Sequence, residues 1–426
     1  MSNQPLVGSC IIGQSGGPSA VINASAYGVI KTALESEYIT TVYGANHGIR
    51  GVLDDRLMIM DQEDPEELAR MLYTPSSLLG SCRYKIADPD ADDTDFQRIL
   101  EIFKKYNVRY FFYNGGNDSM DTCNKISKFM AKVGYECRVF GVPKTIDNDL
   151  FGTDHCPGFA SAAKYIATSF MEVSRDCKVY DTGMITIIEC MGRHAGWLTA
   201  AAGLASLSGD GPDFIYLPEV DFDMDAFIKD VSECYAKKKN CIVAVSEGVH
   251  YADGSFVSEA KTSGTDGFGH AQLGGLAARL ATVLKAATGA KVRGIELSLL
   301  QRCAAHVASG TDIEESFNSG KVAVESALAG LTDKMVGFQC DRGPDGYKCN
   351  YVLFDLANVA NFEKKVPLEW INETKNGVTQ DFIDYCLPLI GGETTMVKEN
   401  GLPRFATLKK VFAEECIYKG AVSKSF

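Results

Sequence analysis

Residues 143–149 read Pro-Lys-Thr-Ile-Asp-Asn-Asp, and residues 115–119 read Gly-Gly-Asn-Asp-Ser. In the first segment Lys144, Thr145, Asp147 and Asp149 crowd into one short stretch. Asp147 suits the removal of a proton from an alcohol, and Lys144 suits the neutralisation of charge on a transferring group. Paired carboxylates can also hold a metal ion. In the second segment Gly115 and Gly116 let backbone N–H groups approach a phosphate closely. Asp118 or Ser119 can cap a following helix, which is compatible with anion binding because both use the same free N–H groups. A phosphate cradle beside a pair of carboxylates points to phosphoryl transfer.

Such residues need strands to aim them. Each segment follows a strand-like apolar run, 108–113 before the glycines and 139–142 before Pro143. Residues 7–12 form a third such run, entering Gly13-Gln14-Ser15-Gly16-Gly17-Pro18 and a small-residue helix from about Ser19. That loop lacks the P-loop spacing, so it is either a tight turn or an anion site at a helix N-terminus. Residues 185–190 run into Met191-Gly192-Arg193-His194, 242–245 into Ser246-Glu247-Gly248, and 292–297 precede Gln301-Arg302. The guanidinium of Arg193 matches phosphate geometry better than His194 does. Glu247 suits a sugar hydroxyl or a core edge. Arg83, Lys85, Arg293 and Arg302 are either surface charge or anion clamps. Strands alternating with amphipathic helices predict an α/β fold with largely parallel sheets, whose ligands sit at the carboxyl ends of the strands. Residues 251–269 read as a loop or hairpin before a helix over 272–287. The rhythm fades after Tyr351, leaving one helix over 379–386, a turn at Gly391-Gly392 and a tail wrapped over the core.

The bulk composition narrows the classes. The chain has 426 residues, 46% apolar and 23% charged, with net charge −13. That size allows two or three domains, and that acidity disfavours nucleic acid and anionic membranes as partners. Residues 1–5 lack the features of a secretory signal, and no apolar run is long enough to span a membrane. Fourteen cysteines without Cys-x-x-Cys spacing suggest reduced thiols in the cytoplasm.

With these motifs assembled in order over roughly residues 7–340, the chain resembles the phosphofructokinase family, and within it the pyrophosphate-dependent branch. The resemblance implies two unequal Rossmann-like domains with mainly parallel sheets flanked by helices and the active site in the cleft between them. The larger, donor-binding domain would comprise 1–158 with about 301–375. The smaller, sugar-phosphate domain would be 159–300, with 376–426 packed on the core. It implies Mg2+-dependent transfer to the 1-hydroxyl of fructose 6-phosphate. Asp147 resembles the general base, and Thr145 and Asp149 line its site. Met191, Gly192, Arg193, Glu247 and Arg302 resemble the sugar-phosphate pocket. Arg293 resembles an arginine lent by a neighbouring subunit, which implies a homodimer or homotetramer. Gly13, Arg83 and Lys85 resemble the donor site, beside Gly116, Asp118 and Ser119.

Asp118 and Lys144 decide the donor. ATP-dependent members usually carry glycine at both positions. A carboxylate about 4 Å from a nucleotide α-phosphate costs roughly 4 kcal/mol at an effective dielectric of about 20, and half of that disfavours ATP more than tenfold. Three departures from the family pattern stand out. Asn117 replaces a magnesium-linked aspartate and brings an oxygen without charge. Leu299 replaces a polar or aromatic residue, and Met184 replaces an arginine lent across subunits in ATP-dependent members. The alternatives are an ATP-dependent 6-phosphofructokinase, a lipid or NAD kinase with a similar glycine loop, and a non-catalytic sugar-phosphate sensor or regulatory subunit.

Overall fold

A computed structural model describes residues 4–258, 275–344, 346–359 and 362–414, and the backbone of 262–265 and 271–272. Two sheets organise these residues. The larger has seven strands. At its centre lies β4 (Val108–Gly115), flanked by β5 (Arg138–Pro143) and β1 (Gly8–Gln14), with β2 (Ile39–Ala45) beyond β1, all parallel. β3 (Leu57–Ile59) closes one edge antiparallel to β2. The hairpin Lys334–Gly343 and Gly346–Asp355 closes the other, its first strand parallel to β5. β1 and β5 are buried along their whole length, as expected of strands covered on both faces.

The smaller sheet is wholly parallel, in the order Val292–Glu296, β6 (Met184–Cys190), β8 (Asn240–Ser246), β7 (Phe214–Tyr216). Its edge strand Val292–Glu296 is largely exposed. The long helices Ile22–Leu34 and Gly310–Leu328 cross on the larger sheet with backbones almost touching. A Cβ on Gly28 would collide with the carbonyl of Phe317, and one on Gly320 with that of Ser25. Asp312, on the second of these helices, accepts from the backbone N–H groups of Gly158 and Ser161 at 2.9 Å each. It thereby caps the helix Phe159–Cys177, which leads into the smaller sheet. The cap ties the two sheets at the point where the chain passes between them.

The strand and helix expectations are met with shifted ends. The first strand continues through Gly13 and Gln14, and its helix begins at Ile22 rather than Ser19. The helix expected over 272–287 spans Leu276–Thr288, and residues 273–274 lie outside the described residues. Within 251–269, Thr262–Thr265 pairs antiparallel with Ala271–Gln272, while 259–261 and 266–270 lie outside the description. The tail packs in two places. Helix Gln380–Cys386 buries Phe382, Tyr385 and Cys386 against Trp197 in the core of the smaller sheet. Farther on, Phe412 bridges Met58, and Ile59 donates to the Val411 carbonyl at 2.8 Å, so the tail extends the β3 edge. Residues 415–426 lie outside the described residues. Among the described residues no helix is long and apolar enough to cross a membrane.

Candidate active site

The carboxyl ends of β1, β4 and β5 open into a cleft of about 590 Å³. Gly16, Gly17, Arg83, Lys85, Gly116, Asn117, Asp118, Ser119, Lys144, Thr145, Asp147 and Asp149 line it. Adjacent parallel strands deliver the two diagnostic segments side by side. Gly115 pairs with Pro143, and the amide of Lys144 donates to the Gly115 carbonyl at 3.0 Å. Gly116 then starts the helix Asn117–Lys132, whose first turn faces the cleft.

The loop after β5 is built to expose alternate side chains. Asn148 has φ +55°, a left-handed conformation that asparagine tolerates. Its side chain turns away from the cleft, donating to the Tyr385 hydroxyl at 2.9 Å and accepting from the Cys156 amide at 2.9 Å. Asp147 and Asp149 on either side are thereby aimed into the cleft. The Thr145 hydroxyl accepts from the Asp147 amide at 3.1 Å and tightens the turn. Lys144 is buried and donates to the Gly17 carbonyl at 2.6 Å, drawing the β1 loop against the β5 loop.

Electrostatics follow from this crowding. Burial, then Asp149 and Glu247, push the Asp147 carboxyl up to about 7. Burial, then Glu363, raise Asp149 as well. Burial pulls Lys144 down to about 8, against the attraction of Asp147. Partial burial and the nearby Arg83 charge lower Arg302. The Arg302 guanidinium lies 3.2 Å, and that of Arg83 3.6 Å, from where a Cβ on Gly17 would stand. The glycine therefore leaves room for an anion between two cations.

The smaller sheet supplies the facing wall. Gly192, at φ +132°, donates its amide to Glu247 at 3.2 Å, and its carbonyl accepts from the Ser246 hydroxyl at 2.6 Å. Met191 donates to the side chain of Gln301 at 3.2 Å, which sets Arg302 beside that loop. Arg193 and Glu247 both act electrostatically on Asp147, so this wall faces the carboxylates.

Gly13, expected in this cleft, stands elsewhere, and Arg293, expected to serve a neighbouring subunit, lies outside it. Gly13 lies inside β1 against the Tyr113 ring, and Gly16 and Gly17 line the cleft in its place. Arg293 is on the exposed edge strand, where it lines a separate hollow of about 280 Å³ with Met184, Glu172 and Asp176. Phe362 and Glu363 line the cleft without having been singled out in the sequence. Leu150 pairs with Glu363, and the Lys364 amide donates to the Asp149 carbonyl at 2.8 Å, so a strand-like segment of the tail forms one wall. Only the pairing reveals this, because the local sequence carries no motif.

Asn117 bears on metal binding. Its amide donates to Asp149 at 3.2 Å, and among the described residues its buried Oδ1 meets no donor. An oxygen left without a donor beside two carboxylates with raised pKa is a donor set of the kind a hard divalent cation takes.

Residues 9–312 match the phosphofructokinase family. The chain is 43% identical over 401 residues to the pyrophosphate–fructose 6-phosphate 1-phosphotransferase of Halomonas elongata, covering 93% of this chain and 95% of that protein. It is 44% identical over 403 residues to the protein of that name from Methylococcus capsulatus, covering 93% and 95%. The crystal structure of a pyrophosphate-dependent phosphofructokinase from Marinobacter aquaeolei superposes with a TM-score of 0.86 at 40% identity, covering 97% of this chain and 99% of that one.

Proposed function

This chain belongs to the phosphofructokinase family, and from that premise we propose the reaction its cleft performs. It is a phosphotransferase that moves a phosphoryl group from pyrophosphate to the 1-hydroxyl of fructose 6-phosphate. The observation that carries this reading is the presence of Asp118 and Lys144 in one cleft with Asp147. Asp118 puts a negative charge where a nucleotide would run, and Lys144 supplies a cation to a donor that has no adenosine to hold.

Asp147 takes the proton of the sugar 1-hydroxyl as its oxygen attacks in line. Lys144 and the N–H groups after Gly116 stabilise charge on the transferring group, with Arg83, Lys85 and Ser119 holding the remainder of the pyrophosphate. Arg193, Arg302 and the Gly192 loop grip the sugar phosphate, and Glu247 accepts from a sugar hydroxyl. Asn117, Asp147 and Asp149 would hold Mg2+, which neutralises phosphate charge when bound. Residues 1–158 with about 301–375 carry the donor, and 159–300 carry the sugar phosphate with Arg302 added from the larger domain. Arg293 serves the neighbouring subunit of a homodimer or homotetramer. Its exposed edge position and its distance from this chain's own cleft support that assignment. The compartment is the cytoplasm. Because pyrophosphate hydrolysis is only moderately downhill, the reaction runs readily in both directions.

A coupled assay with fructose 6-phosphate and Mg2+, comparing pyrophosphate with ATP at matched concentrations, tests the reading. Turnover with pyrophosphate that stops on chelation is the expected result. Turnover with ATP alone would overturn the donor, and activity with neither would favour a sensor.

The pH dependence is narrow by construction. Asp147 must be ionised to accept a proton, so forward kcat/KM rises as pH climbs through about 7. Lys144 must be protonated, so the rate falls as pH climbs through about 8. A bell with a short plateau between these limbs is expected from initial rates, and a flat profile across them would remove both residues from these roles.

A further inference from the structure

Behind the loop that carries Asp147 lies a polar cluster that the reaction does not use. Cys340 and Cys349 stand directly opposite each other in the hairpin Lys334–Gly343 and Gly346–Asp355. Opposed residues of antiparallel strands have Cα atoms about 4.5–5.5 Å apart, inside the roughly 4.4–6.8 Å window of disulfides. Both thiols are half-buried, open to a small oxidant but shielded from bulky ones.

Their surroundings are uneven. Cys340 Sγ is 3.8 Å from His155 Nδ1 and 3.4 Å from the Tyr347 hydroxyl. Burial opposes charge on His155, yet hydrogen bonds with Asp154, Cys340 and Glu315 outweigh it and hold the ring protonated. The Glu315 contact is 2.7 Å. The contact with Cys349, and then His155, bring Cys340 down to about 6 despite burial, while Cys349 is pushed up. The protonated His155 ring beside Cys340, and not beside Cys349, favours the Cys340 thiolate, which suits Cys340 to attack and Cys349 to resolve.

The cluster is mechanically joined to the loop. Arg342, two residues beyond Cys340, grips both oxygens of Asp154 at 2.7 and 2.8 Å and donates to the Tyr385 carbonyl at 3.2 Å. The Tyr385 hydroxyl donates to the Asp154 carbonyl at 2.8 Å and accepts from Asn148, which lies between Asp147 and Asp149.

We propose that Cys340 and Cys349 form a reversible cross-strand disulfide with hydrogen peroxide as oxidant, and that its closure slows phosphoryl transfer through the Arg342–Tyr385–Asn148 connection. The first clause stands on the thiols alone, and the second rests on the function assigned above. The Cys340 thiolate attacks one peroxide oxygen, the O–O bond breaks, hydroxide leaves, and a sulfenic acid forms. Cys349 sulfur then attacks that sulfur, the S–O bond breaks, and water departs with the Cys349 proton. Two thiols lose two electrons and the peroxide gains them. Closure takes the thiolate from His155 and turns the Cys340 side chain toward Cys349, so the contacts of His155 and Asp154 beside Arg342 rearrange. Positional errors of this kind cost roughly tenfold to a hundredfold in rate.

The test uses the full purified chain. It is treated with hydrogen peroxide, alkylated, digested and mapped by mass spectrometry with and without prior reduction, while turnover is followed in parallel. The expected result is a linked Cys340–Cys349 peptide, turnover lowered roughly tenfold or more, and recovery of both with dithiothreitol. Cys349→Ser is expected to keep the untreated rate, lose the link and keep its turnover under peroxide. Both thiols remaining alkylatable while the exposed Cys303 oxidises would overturn the proposal. So would a link that forms with no change in rate, or inactivation that persists in Cys349→Ser. The thiol map needs no substrate, so its failure is distinguishable from a failure of the assigned reaction.

Discussion

Replacing Asp147 with serine is expected to lower turnover with pyrophosphate by roughly a thousandfold, within the range supplied by a positioned general base. The KM for fructose 6-phosphate should stay within a few-fold, because the sugar phosphate is held by Arg193, Arg302 and the Gly192 loop rather than by this carboxylate. The geometry that allows a clean test is local. Asn148 is fixed by Tyr385 and Cys156, so the loop keeps its course when its neighbour is shortened. Stability should move the other way. The folded-state pKa of Asp147 lies above its ordinary value, so at neutral pH the protein bears the cost of ionising a crowded carboxyl. The serine variant is therefore expected to melt at a higher temperature while turning over far more slowly. A variant with near-normal turnover would exclude Asp147 as the base, and a lower melting temperature would mean that the loop had collapsed.

The second large effect concerns the donor. Changing Asp118 and Lys144 together to glycine is expected to cut pyrophosphate-dependent kcat by two to three orders of magnitude, roughly the value of one preorganised donor at a developing charge. ATP-dependent turnover should rise from background. Two consequences combine in the Asp118 change. It removes a negative charge from the cleft, and it releases Lys85, whose Nζ lies 3.9 Å from Asp118 Oδ1, to meet a phosphate. The Lys144 change removes a buried cation that bridges to the Gly17 carbonyl and opens space at the strand end. Steady-state rates with both donors for the two single variants and the double variant would apportion these contributions. If the double variant lost pyrophosphate activity and still refused ATP, exclusion of the nucleotide would lie elsewhere, with Phe362 and Glu363 as the next wall to alter.

The two central loops were legible in the sequence because their chemistry is local. Gly115–Ser119 and Lys144–Asp149 each follow a strand whose burial shows as an apolar run, and adjacency of β4 and β5 then brings them together. The strand-end residues Arg193 and Glu247 were legible for the same reason. Gly13 was harder, since a glycine-rich run does not reveal which glycine ends the strand, and the ladder continues to Gln14. Glu363, Lys364 and Tyr385 were out of reach. Their contacts with Asp149, Asp154 and Asn148 join positions that no periodicity or spacing connects. The tail was expected as a wrap over the core, but the sequence does not reveal that part of it walls the cleft and part extends the β3 edge.

The bond from Asn148 to Tyr385 spans 237 residues of chain. Ribosomes add roughly 5–20 residues per second, so this anchor is synthesised roughly ten to fifty seconds after the loop it holds. For that interval the nascent protein already has its glycine cradle and its carboxylates but lacks the tyrosine that sets them. A nascent chain that stops short of Tyr385 lacks the contact that fixes Asn148 between the two carboxylates. Competence therefore waits for the helix Gln380–Cys386 to be made and docked against the core of the smaller sheet.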